Sequence, residues 1–523
     1  MSLIRITQPG SIGVNKDLSA HEFPPTATNP SIGWTDAKNI RFLDGMAYQF
    51  HGHGEVYNSP SVAPQHVLPC NVGGVRYWIY ASAGKTYAVT NSAGVAVHTD
   101  ITHVTPRAGV VNQWTSTLLS GIPILNTGDT SSVPMSWDLN LANKFVNLAN
   151  WPASTYCKSI RGFKNSLIAL NVTKSGTNYP FMVKWSHPAD PGTVPASWDP
   201  ADATKDAGEL DLAEGYDPIV DGLQLRDSFI IYKEASVWRM DFIGGPYIYR
   251  FSKVLGTSGA LNNNCIVEID GQHLVLTGSD VIVHDGQQGA SVLDKQTRRF
   301  LFNNIDAANA SLCFVFKNPF FNEVFICYPS IGASSCDKAM VWNYVDKTVS
   351  FRELPNLNHA ACGPVDNTLA GNWSQDAAPW DSDLTAWNGP DFVPDRARAI
   401  MGSANVKLYM LDSSASFDGV IPSAFLERRG LSLGSPERRK VVRSIRPRIV
   451  GNTGQTVIIK IGSSDDPYLD PTYGATMTHT IGSTISNDCM VSGRYIALRI
   501  ETGTAYTWRL DSIDIDVVDG GAW

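Results

Sequence analysis

The sequence predicts an all-β protein: a β-propeller of six or seven blades with inserted loops, followed by a C-terminal β-sandwich-like domain. Strand-like runs separated by tight turns fill the chain, and one strand–turn–strand pattern recurs at a spacing in the middle forties, which is typical of propeller blades. The composition agrees, because charged residues make up only 17% of the chain while 44 Gly and 30 Pro are spread along it. Many short strands joined by turns require such a composition.

The clearest unit is LRDSFIIYKEASVWRMDFIGGPYIYRF, residues 225–251. Its first run, Phe229 to Tyr232, is continuously apolar, and its second run alternates, which places Trp238, Met240 and Phe242 on one predicted face. Turn residues follow each run, and a third alternating run begins at Tyr247. The unit is therefore predicted to be a three-stranded antiparallel meander, most of one propeller blade.

The pattern of this unit recurs along the chain. Residues 228–241 align with residues 272–285 at an offset of 44, with apolar residues on apolar residues and a turn on a turn. When the first strand of each unit is taken as the anchor, the anchors fall at Trp78, Ile122, Leu167, Phe229, His273, Val324 and Lys407. The longer spacings coincide with predicted insertions near residues 186–217 and 362–395.

The length predicts more than one domain, because 523 residues exceed what one hydrophobic core usually serves. We expect residues 1–60 to form an N-terminal β segment that joins the propeller, residues 61–425 to form the propeller, and residues 426–523 to form the C-terminal β-sandwich. The predicted sandwich opens with a basic run: Arg428, Arg429, Arg438, Arg439, Lys440, Arg443, Arg446 and Arg448. This run is interpreted first as a solvated strand face with scattered ion pairs, and otherwise as a contact for DNA phosphate or an acidic neighbouring subunit.

Charge and hydropathy exclude several classes. A net charge of −8 argues against general affinity for nucleic acid, which needs Lys and Arg to displace counterions from phosphate. The N-terminus lacks the apolar region of a signal peptide, and no run approaches the roughly 18 apolar residues of a membrane span, so a soluble, unexported chain is expected. The 8 Cys form no C-x-x-C pair, which predicts reduced, buried side chains rather than a zinc site or disulfides.

Two short motifs contain residue types that are typical of chemical sites. His51 and His53 with Glu55 have a metal-like spacing but no third ligand at a recognisable distance, so a Gly-rich turn is the simpler interpretation. The residues Ser335, Asp337, Ala339 and Trp342 nearly match the S-x-D-x-G-x-x-W box of sialidase-like propellers, with Ala where the turn needs Gly. Such boxes are structural turns, so this one says little about glycoside cleavage.

The first insertion is rich in carboxylates, among which a pair for glycoside hydrolysis could be found. They are Asp190, Asp199, Asp202, Asp206, Glu209, Asp211, Glu214, Asp217 and Asp221. No partner that would raise one pKa selectively is evident, and solvated loop residues are the simpler interpretation. The chain has no G-x-S-x-G, Walker, H-E-x-x-H or EF-hand motif. We therefore predict no enzyme activity, no catalytic, cofactor-binding or metal-binding residues, and no cofactor.

Three stretches together resemble a known family, the tail nozzle, tail tubular or packaged-DNA stabilisation proteins of short-tailed bacteriophages. The first is WTDAKNIRFLDGMAYQFHGHGEV, residues 34–56, in which a Trp is followed by N-x-R-F and Gly-rich reversals. The second runs through residues 183–200 and 207–251, and the third combines ERRGLSLGSPERRKVVRSIRPRIVG with SGRYIALRIETGTAYTWRLDSIDIDVV. Residues 61–155 and 356–396 carry no such resemblance.

The resemblance implies a structural protein of the virion, assembled in the host bacterial cytoplasm. It implies a homo-oligomeric subunit ring, a hexamer, that extends the DNA channel below the portal and head-to-tail adaptor. Such a ring retains the packaged genome, conducts double-stranded DNA during ejection without sequence-specific binding, and adjoins tail fibres or spikes. The family has no catalytic residues to transfer.

The acidic balance suits this role, because each phosphate that a channel neutralises adds affinity and hence friction. The basic run is then expected away from the lumen, so reversing Arg438, Arg439 and Lys440 to Glu is expected to impair assembly while the monomer stays folded. The rival interpretation is a receptor-binding or glycan-hydrolysing propeller of a tail spike, although no stalk or coiled-coil heptad is evident. A cellular propeller scaffold is the third possibility.

Overall fold

The computed structural model describes residues 2–16, 32–92, 95–245, 247–365, 397–433, 436–504 and 506–522. The described chain opens with five short strands: β1 (Ser2–Ile6), β2 (Asp36–Lys38), β3 (Ile40–Leu43), β4 (Met46–Gln49) and β5 (Gly52–Glu55). Only β5 enters the propeller, whereas β1 to β4 belong to the second domain. The expectation that residues 1–60 join the propeller is therefore wrong for β1 to β4.

Five consecutive four-stranded antiparallel sheets follow, each with its strands in chain order. Blade 1 contains β6 (His66–Val72), β7 (Val75–Ser82), β8 (Lys85–Ser92) and β9 (Val95–Asp100). Blade 2 contains β10 (Thr115–Leu119), β11 (Ile122–Asn126), β12 (Met135–Ser136) and β13 (Val146–Asn147). Blade 3 contains β14 (Thr155–Phe163), β15 (Ser166–Lys174), β16 (Thr177–Trp185) and β17 (Gly208–Asp211). Blade 4 contains β18 (Ile219–Leu225), β19 (Ser228–Lys233), β20 (Val237–Phe242) and β21 (Tyr249–Leu255). Blade 5 contains β22 (Ile266–Ile269), β23 (Gln272–Leu276), β24 (Val281–His284) and β25 (Gly289–Ser291).

The α-helix α1 (Lys295–Asn304) and a 3-10 segment (Ala307–Leu312) connect blade 5 to a larger sheet. This sheet contains β26 (Phe314–Asn318), β27 (Glu323–Tyr328), β28 (Cys336–Asn343), β29 (Val349–Pro364), β30 (Ala397–Ser403) and β31 (Lys407–Ser414), and it ends on β5. It is two blades that share β29, which turns at Asn356, where φ is +52°. Blade 7 is thus closed by an N-terminal strand on β31, and the described residues form seven blades.

Six of the seven anchors that were predicted to mark first strands lie on second strands, and the seventh lies on a third strand. Trp78, Ile122, Leu167, Phe229, His273 and Val324 lie in or next to the second strand of blades 1 to 6, and Lys407 begins the third strand of blade 7. The 186–217 insertion joins the third and fourth strands of blade 3 and reaches towards blade 4. The predicted insertion at 362–395 lies almost entirely outside the described residues.

Local sequence explains why the blades begin as hairpins. The first two strands of blades 2 and 5 are joined by Ser120–Gly121 and Asp270–Gly271, and φ is positive at all four residues. Two-residue turns with positive φ match the right-handed twist of the flanking strands, and Gly adopts that conformation without steric cost.

Apolar clusters between neighbouring blades form the propeller core. Between blades 3 and 4, Trp238 and Met240 pack in one cluster with Phe163, Trp185 and Phe229. Trp238 and Met240 are buried as predicted, but Phe242 is 51% exposed because β20 ends there and the hairpin tip extends past the neighbouring blade.

Replacing Trp238 with alanine is expected to lower the free energy of unfolding by about 3 kcal/mol, because the indole fills space between two stacked sheets. Urea unfolding would measure the change. The matched control is Tyr247→Ala, which truncates an aromatic side chain of the same blade that is 78% exposed and should change stability little. Equal stability of Trp238→Ala and the wild type would contradict the packing.

The second domain is a β-sandwich made from both ends of the chain. Its later strands are β32 (Phe425–Leu431), β33 (Arg438–Val450), β34 (Thr456–Ser464), β35 (Thr472–Thr480), β36 (Asn487–Gly493), β37 (Tyr495–Thr502) and β38 (Arg509–Ala522). One sheet has the order β3-β4-β38-β33-β36 with β1 also on β38, and the other has the order β2-β32-β37-β34-β35. The core between them includes Trp34, Phe42, Leu498 and Trp508. Within the described ranges, no helix is long and apolar enough to cross a membrane.

Candidate functional site

A buried ion pair lies beside the axis of the propeller. Arg161 on β14 donates from Nε and Nη2 to the two carboxylate oxygens of Asp221 on β18, at 2.9 and 2.6 Å. Ser159 Oγ also donates to Asp221, at 2.5 Å. Burial alone would raise the pKa of the Asp221 carboxyl, but the guanidinium and the hydrogen bonds outweigh burial and lower it. Asp221 is therefore held ionised.

Two asparagines carry this network across the axis. Asn264, just before blade 5, donates from Nδ2 to Asn112 Oδ1, just before blade 2, at 3.1 Å. Asn112 Nδ2 in turn donates to the carbonyl of Cys313 at the start of blade 6, at 2.8 Å. These bonds join blades on different sides of the propeller, so side chains fill the axis at this level.

Two histidines whose rings are tilted by 37° against each other continue the filled axis. The rings of His66 on β6 and His359 on β29 lie 4.1 Å apart, and His66 Nε2 is 2.8 Å from Ser116 Oγ on β10. Burial, with the positive charge of Arg161 nearby, lowers the pKa of His66 and brings that of His359 to about 3. Both imidazoles are therefore neutral at pH 7.

A half-open cavity of about 250 Å³ lies at the mouth of the axis, where the inner strands begin. Amide side chains such as Asn112, Asn171 and Asn263 line it, together with Lys158 and Glu234. Several amides are already engaged, since Asn112 bonds Cys313 and Asn171 Nδ2 donates to the Ile219 carbonyl at 3.0 Å. Apolar residues such as Ile219 and Leu261 complete the lining.

A chain of hydrogen bonds joins blades 4 and 5. His273 Nε2 lies 2.9 Å from the Gln224 carbonyl, so its Nδ1 accepts, at 2.7 Å, from the hydroxyl of Tyr232. His284 Nδ1 accepts from Gly286 N, so its Nε2 donates to the Tyr232 oxygen at 2.5 Å. Each group has one defined role only while both rings are neutral. Burial lowers the pKa of both histidines to about 4.

A second buried charge cluster joins the sandwich to the propeller. Arg41 on β3 makes a bidentate pair with Glu323 on β27, at 2.6 and 2.9 Å, and reaches Asp412 on β31 at 2.7 Å. Arg352 on β29 holds the other oxygen of Asp412 at 3.1 Å. The four side chains are at most 4% exposed. Burial raises the pKa of Glu323 to about 7, against the opposing effect of Arg41.

Asn39 fixes the conformation of the chain just before the strand that carries Arg41. Its φ is +55°, and its Oδ1 accepts from the Glu353 backbone N–H at 2.8 Å while its Nδ2 donates to the Glu353 carboxylate at 3.1 Å. The sequence shows an N-x-R-F pattern at these residues, but it did not predict their contacts with the propeller. A charged residue inside the apolar strand Ile40–Leu43 was the available signal.

The candidate metal residues lie in different environments. His53 is buried, with its ring 5.0 Å from Tyr409 and 4.8 Å from Phe417. Glu55 lies 3.5 Å from the ammonium of Lys407. Among the described residues, no group of three or more His, Cys, Asp or Glu is placed to hold a metal ion. The eight cysteines are free thiols, of which seven are buried.

The box from Ser335 to Trp342 supports a turn. The Asp337 carboxylate accepts from the backbone N–H of Ser330 at 2.7 Å and from its hydroxyl at 2.5 Å. Trp342 is buried on β28. These residues hold the β27–β28 connection together.

The acidic residues of the first insertion have structural contacts. Glu209 pairs with Lys174 and Lys184 at 2.6 and 2.9 Å, and Asp217 pairs with the buried Lys233 at 2.8 Å. Asp199 and Asp202 accept from backbone N–H groups two residues on. The pKa of the carboxyls of Asp202, Glu209, Asp217 and Asp221 is lowered. A general acid needs the opposite shift.

The basic run divides into three groups. Arg428 and Lys440 are buried, and Lys440 Nζ donates to the Arg494 carbonyl at 3.0 Å. Arg429, Arg439 and Arg448 lie in ion pairs with Asp470, Asp465 and Asp514 respectively. Arg438, Arg443 and Arg446 are exposed on β33. The expectation that Arg438, Arg439 and Lys440 can be reversed together without unfolding is therefore wrong, because Lys440→Glu would bury a carboxylate.

The fold and these contacts define a seven-bladed β-propeller joined to a β-sandwich by a buried charge cluster. No model of a protein family and no curated protein matches the sequence. Similar solved structures include the β-propeller domain of Cps50 (Swd1) from Myceliophteria thermophila, with 8% identity, a TM-score of 0.40, and coverage of 69% of this chain and 99% of that one. A fungal alcohol oxidase of the AA5 family in complex with copper has 11% identity, a TM-score of 0.40, and coverage of 89% and 92%. A chain of a mitotic checkpoint complex has 9% identity, a TM-score of 0.38, and coverage of 68% and 96%. Similarity at this level identifies no function.

Proposed function

We propose that this chain is a structural subunit of a bacteriophage tail nozzle, a ring of six copies that extends the DNA channel below the portal and adaptor. The ring retains the packaged genome and conducts it during ejection. The proposal rests on the resemblance of three stretches to short-tailed phage tail proteins.

The observation that carries the proposal is where those three stretches lie. The first supplies Arg41, which joins the two domains through Glu323 and Asp412. The second supplies the end of β16, all of β17 and most of blade 4, and the third supplies most of four strands of the sandwich. A resemblance concentrated on the elements that build and join both domains is expected for a shared architecture.

The filled axis bears on the path that DNA would take through such a ring. Hydrogen bonds such as Asn264 to Asn112 cross the propeller axis, so a duplex has no path through one subunit. The channel of a nozzle would instead lie between subunits, at the centre of the ring. A chain with net charge −8 would let the duplex slide there with little counterion release.

The direct test is to locate the protein. Particles of the phage that encodes it are purified, the chain is identified by mass spectrometry, and an antibody-labelled image of the tail shows its position. A ring below the portal is expected. Absence of the chain from purified particles would overturn the proposal, and a position on a trimeric spike would favour the receptor-binding alternative.

Reversing Arg438, Arg443 and Arg446 to Glu is expected to convert the subunit ring to folded monomers or to prevent its docking on the adaptor. These side chains are exposed, so the monomer should keep its melting temperature, whereas three charge reversals in each subunit, a change of six charge units, would repel an acidic neighbour. Sedimentation velocity and adaptor pull-down would measure both effects.

The control makes the same charge change on the propeller, with Lys144, Lys295 and Arg299 replaced by Glu. It should leave assembly intact. If the β33 variant assembles normally but its particles lose or eject DNA at altered rates, the basic strand lines the channel and its placement away from the lumen is wrong.

A further inference from the structure

The tip of the β20–β21 hairpin of blade 4 presents apolar side chains to solvent. Phe242 is 51% exposed, Ile243 52% and Tyr247 78%, and we call these three residues the blade 4 tip. Backbone hydrogen bonds run from Ile243 N and Gly244 N to the Ile248 carbonyl, at 3.0 and 3.3 Å. A cluster of exposed apolar side chains is typical of a protein contact.

Positive charge surrounds the blade 4 tip. The Lys164 ammonium lies 5.1 Å from the Phe242 ring, and Arg250 is 63% exposed, with its guanidinium 3.8 Å from the Asp241 carboxylate. The nearby carboxylate of Asp241 is already engaged by Ser228 at 2.6 Å and Arg239 at 2.9 Å. The partner that fits is apolar at its centre and acidic at its edge.

A loop of the sandwich has that chemistry. Between β34 and β35, Tyr468 is 76% and Leu469 64% exposed. Asp465, Asp466 and Asp470 flank them, and we call residues 465–470 the sandwich loop. Two of these carboxylates also contact Arg429 and Arg439.

The two surfaces lie on different sides of one chain. The sandwich is fixed to blades 6 and 7 through Glu323 and Asp412, whereas the blade 4 tip packs beside Lys164 of blade 3. In a seven-bladed propeller, blade 3 is about as far as possible from the contact between blades 6 and 7. The two surfaces are thus placed to meet between copies, and a contact between two different surfaces of identical chains generates a ring or a filament.

We propose that the blade 4 tip of one copy docks on the sandwich loop of the next copy, and that this contact builds the subunit ring. The inference rests on the proposed nozzle function and names the surfaces that make its ring. Tyr247 and Leu469 lie at the centre of the contact, and Lys164 and Arg250 face the aspartates around it.

The test uses single cysteines at the two centres. Chains carrying Tyr247→Cys are mixed with chains carrying Leu469→Cys, assembled and mildly oxidised. A disulfide-linked dimer containing one of each is expected, and a chain with both substitutions should give a ladder up to the full ring. The matched control pairs Leu469→Cys with Val104→Cys, which is 80% exposed between blades 1 and 2 and should not link.

The outcomes separate the two proposals. Rings that assemble without the 247–469 link overturn this contact and leave the nozzle function standing. Full-length chain that forms no ring and is absent from purified particles overturns the nozzle function itself. Links found in open filaments support the contact and contradict a closed ring.

Discussion

Replacing Arg41 with methionine is expected to lower the free energy of unfolding by about 3 to 5 kcal/mol at pH 8. The substitution keeps much of the side-chain volume but leaves Glu323 and Asp412 buried with Arg352 as their one remaining cation in the cluster. Breaking a buried pair by removing one partner costs much more than the pair contributes, because an uncompensated charge stays in the protein interior. Urea unfolding would measure the loss, and limited proteolysis should cut between the sandwich and the propeller.

Two companion variants test the cause. Arg5→Met removes a 2.8 Å pair with Asp514 in which Arg5 is 52% exposed, and it should cost much less than Arg41→Met because solvent screens the exposed pair. Adding Glu323→Gln to Arg41→Met removes the extra negative charge and should restore part of the stability. If Arg41→Met and Arg5→Met have equal effects, the buried cluster does not hold the two domains together.

The second large effect is a steep loss of stability in weak acid. Burial is the first cause that lowers the pKa of His53 and His359 to about 3 and that of His273 and His284 to about 4. In the unfolded chain each titrates near 6.5. Between pH 6.5 and 4 the unfolded state therefore binds more protons, so the stability that these histidines contribute is complete above pH 6.5 and falls as the pH falls.

The size of the loss follows from linkage. Each histidine approaches a slope of about 1.4 kcal/mol per pH unit below pH 6.5, so four of them lose about 6 to 7 kcal/mol between pH 6.5 and pH 5. The Glu323 carboxyl, whose pKa burial raises to about 7, works in the opposite direction and offsets about 2 kcal/mol of this loss. The net loss of about 4 to 5 kcal/mol is comparable with the whole stability of many domains.

Urea unfolding at pH 8, 6.5, 5.5 and 5 would measure the slope. The double variant His273→Gln, His284→Gln should be less stable at pH 8 but should lose stability with a clearly smaller slope, because two of the buried histidines that titrate are gone. A free energy of unfolding that is constant from pH 8 to pH 5 would contradict neutral, buried histidines.

Short-range patterns were sufficient to predict the repeat of blades. β19 is buried along nearly its whole length and β20 alternates, and both patterns are visible in the residues themselves. The reason is that second strands lie between neighbouring blades and are covered on both faces, so they must be apolar. Because second strands are the most apolar, the anchors predicted from the sequence lie mostly on them.

The first strand of each blade was not predicted, because it faces the propeller axis and carries polar residues. β14 contains Lys158, Ser159 and Arg161, and β18 contains Asp221, so neither has a clear apolar pattern. Their polar residues are satisfied by each other across blades, and Arg161 and Asp221 are 60 residues apart. Patterns among neighbouring residues therefore cannot predict that pairing.

Strand content, turn positions, buried thiols and an acidic surface follow from local chemistry, because alternation, Gly placement and charge act over a few residues. The number of blades, the filled axis and the division of the N-terminal strands between two domains depend on how the chain closes on itself. Arg41 lies 282 residues from Glu323 and 371 from Asp412, and each carboxylate becomes a partner only when β5 closes blade 7 and brings the two ends of the chain together. Contacts of that kind are set by three-dimensional closure, since desolvation and pairing energies depend on which side chains share a volume and not on their order in the chain.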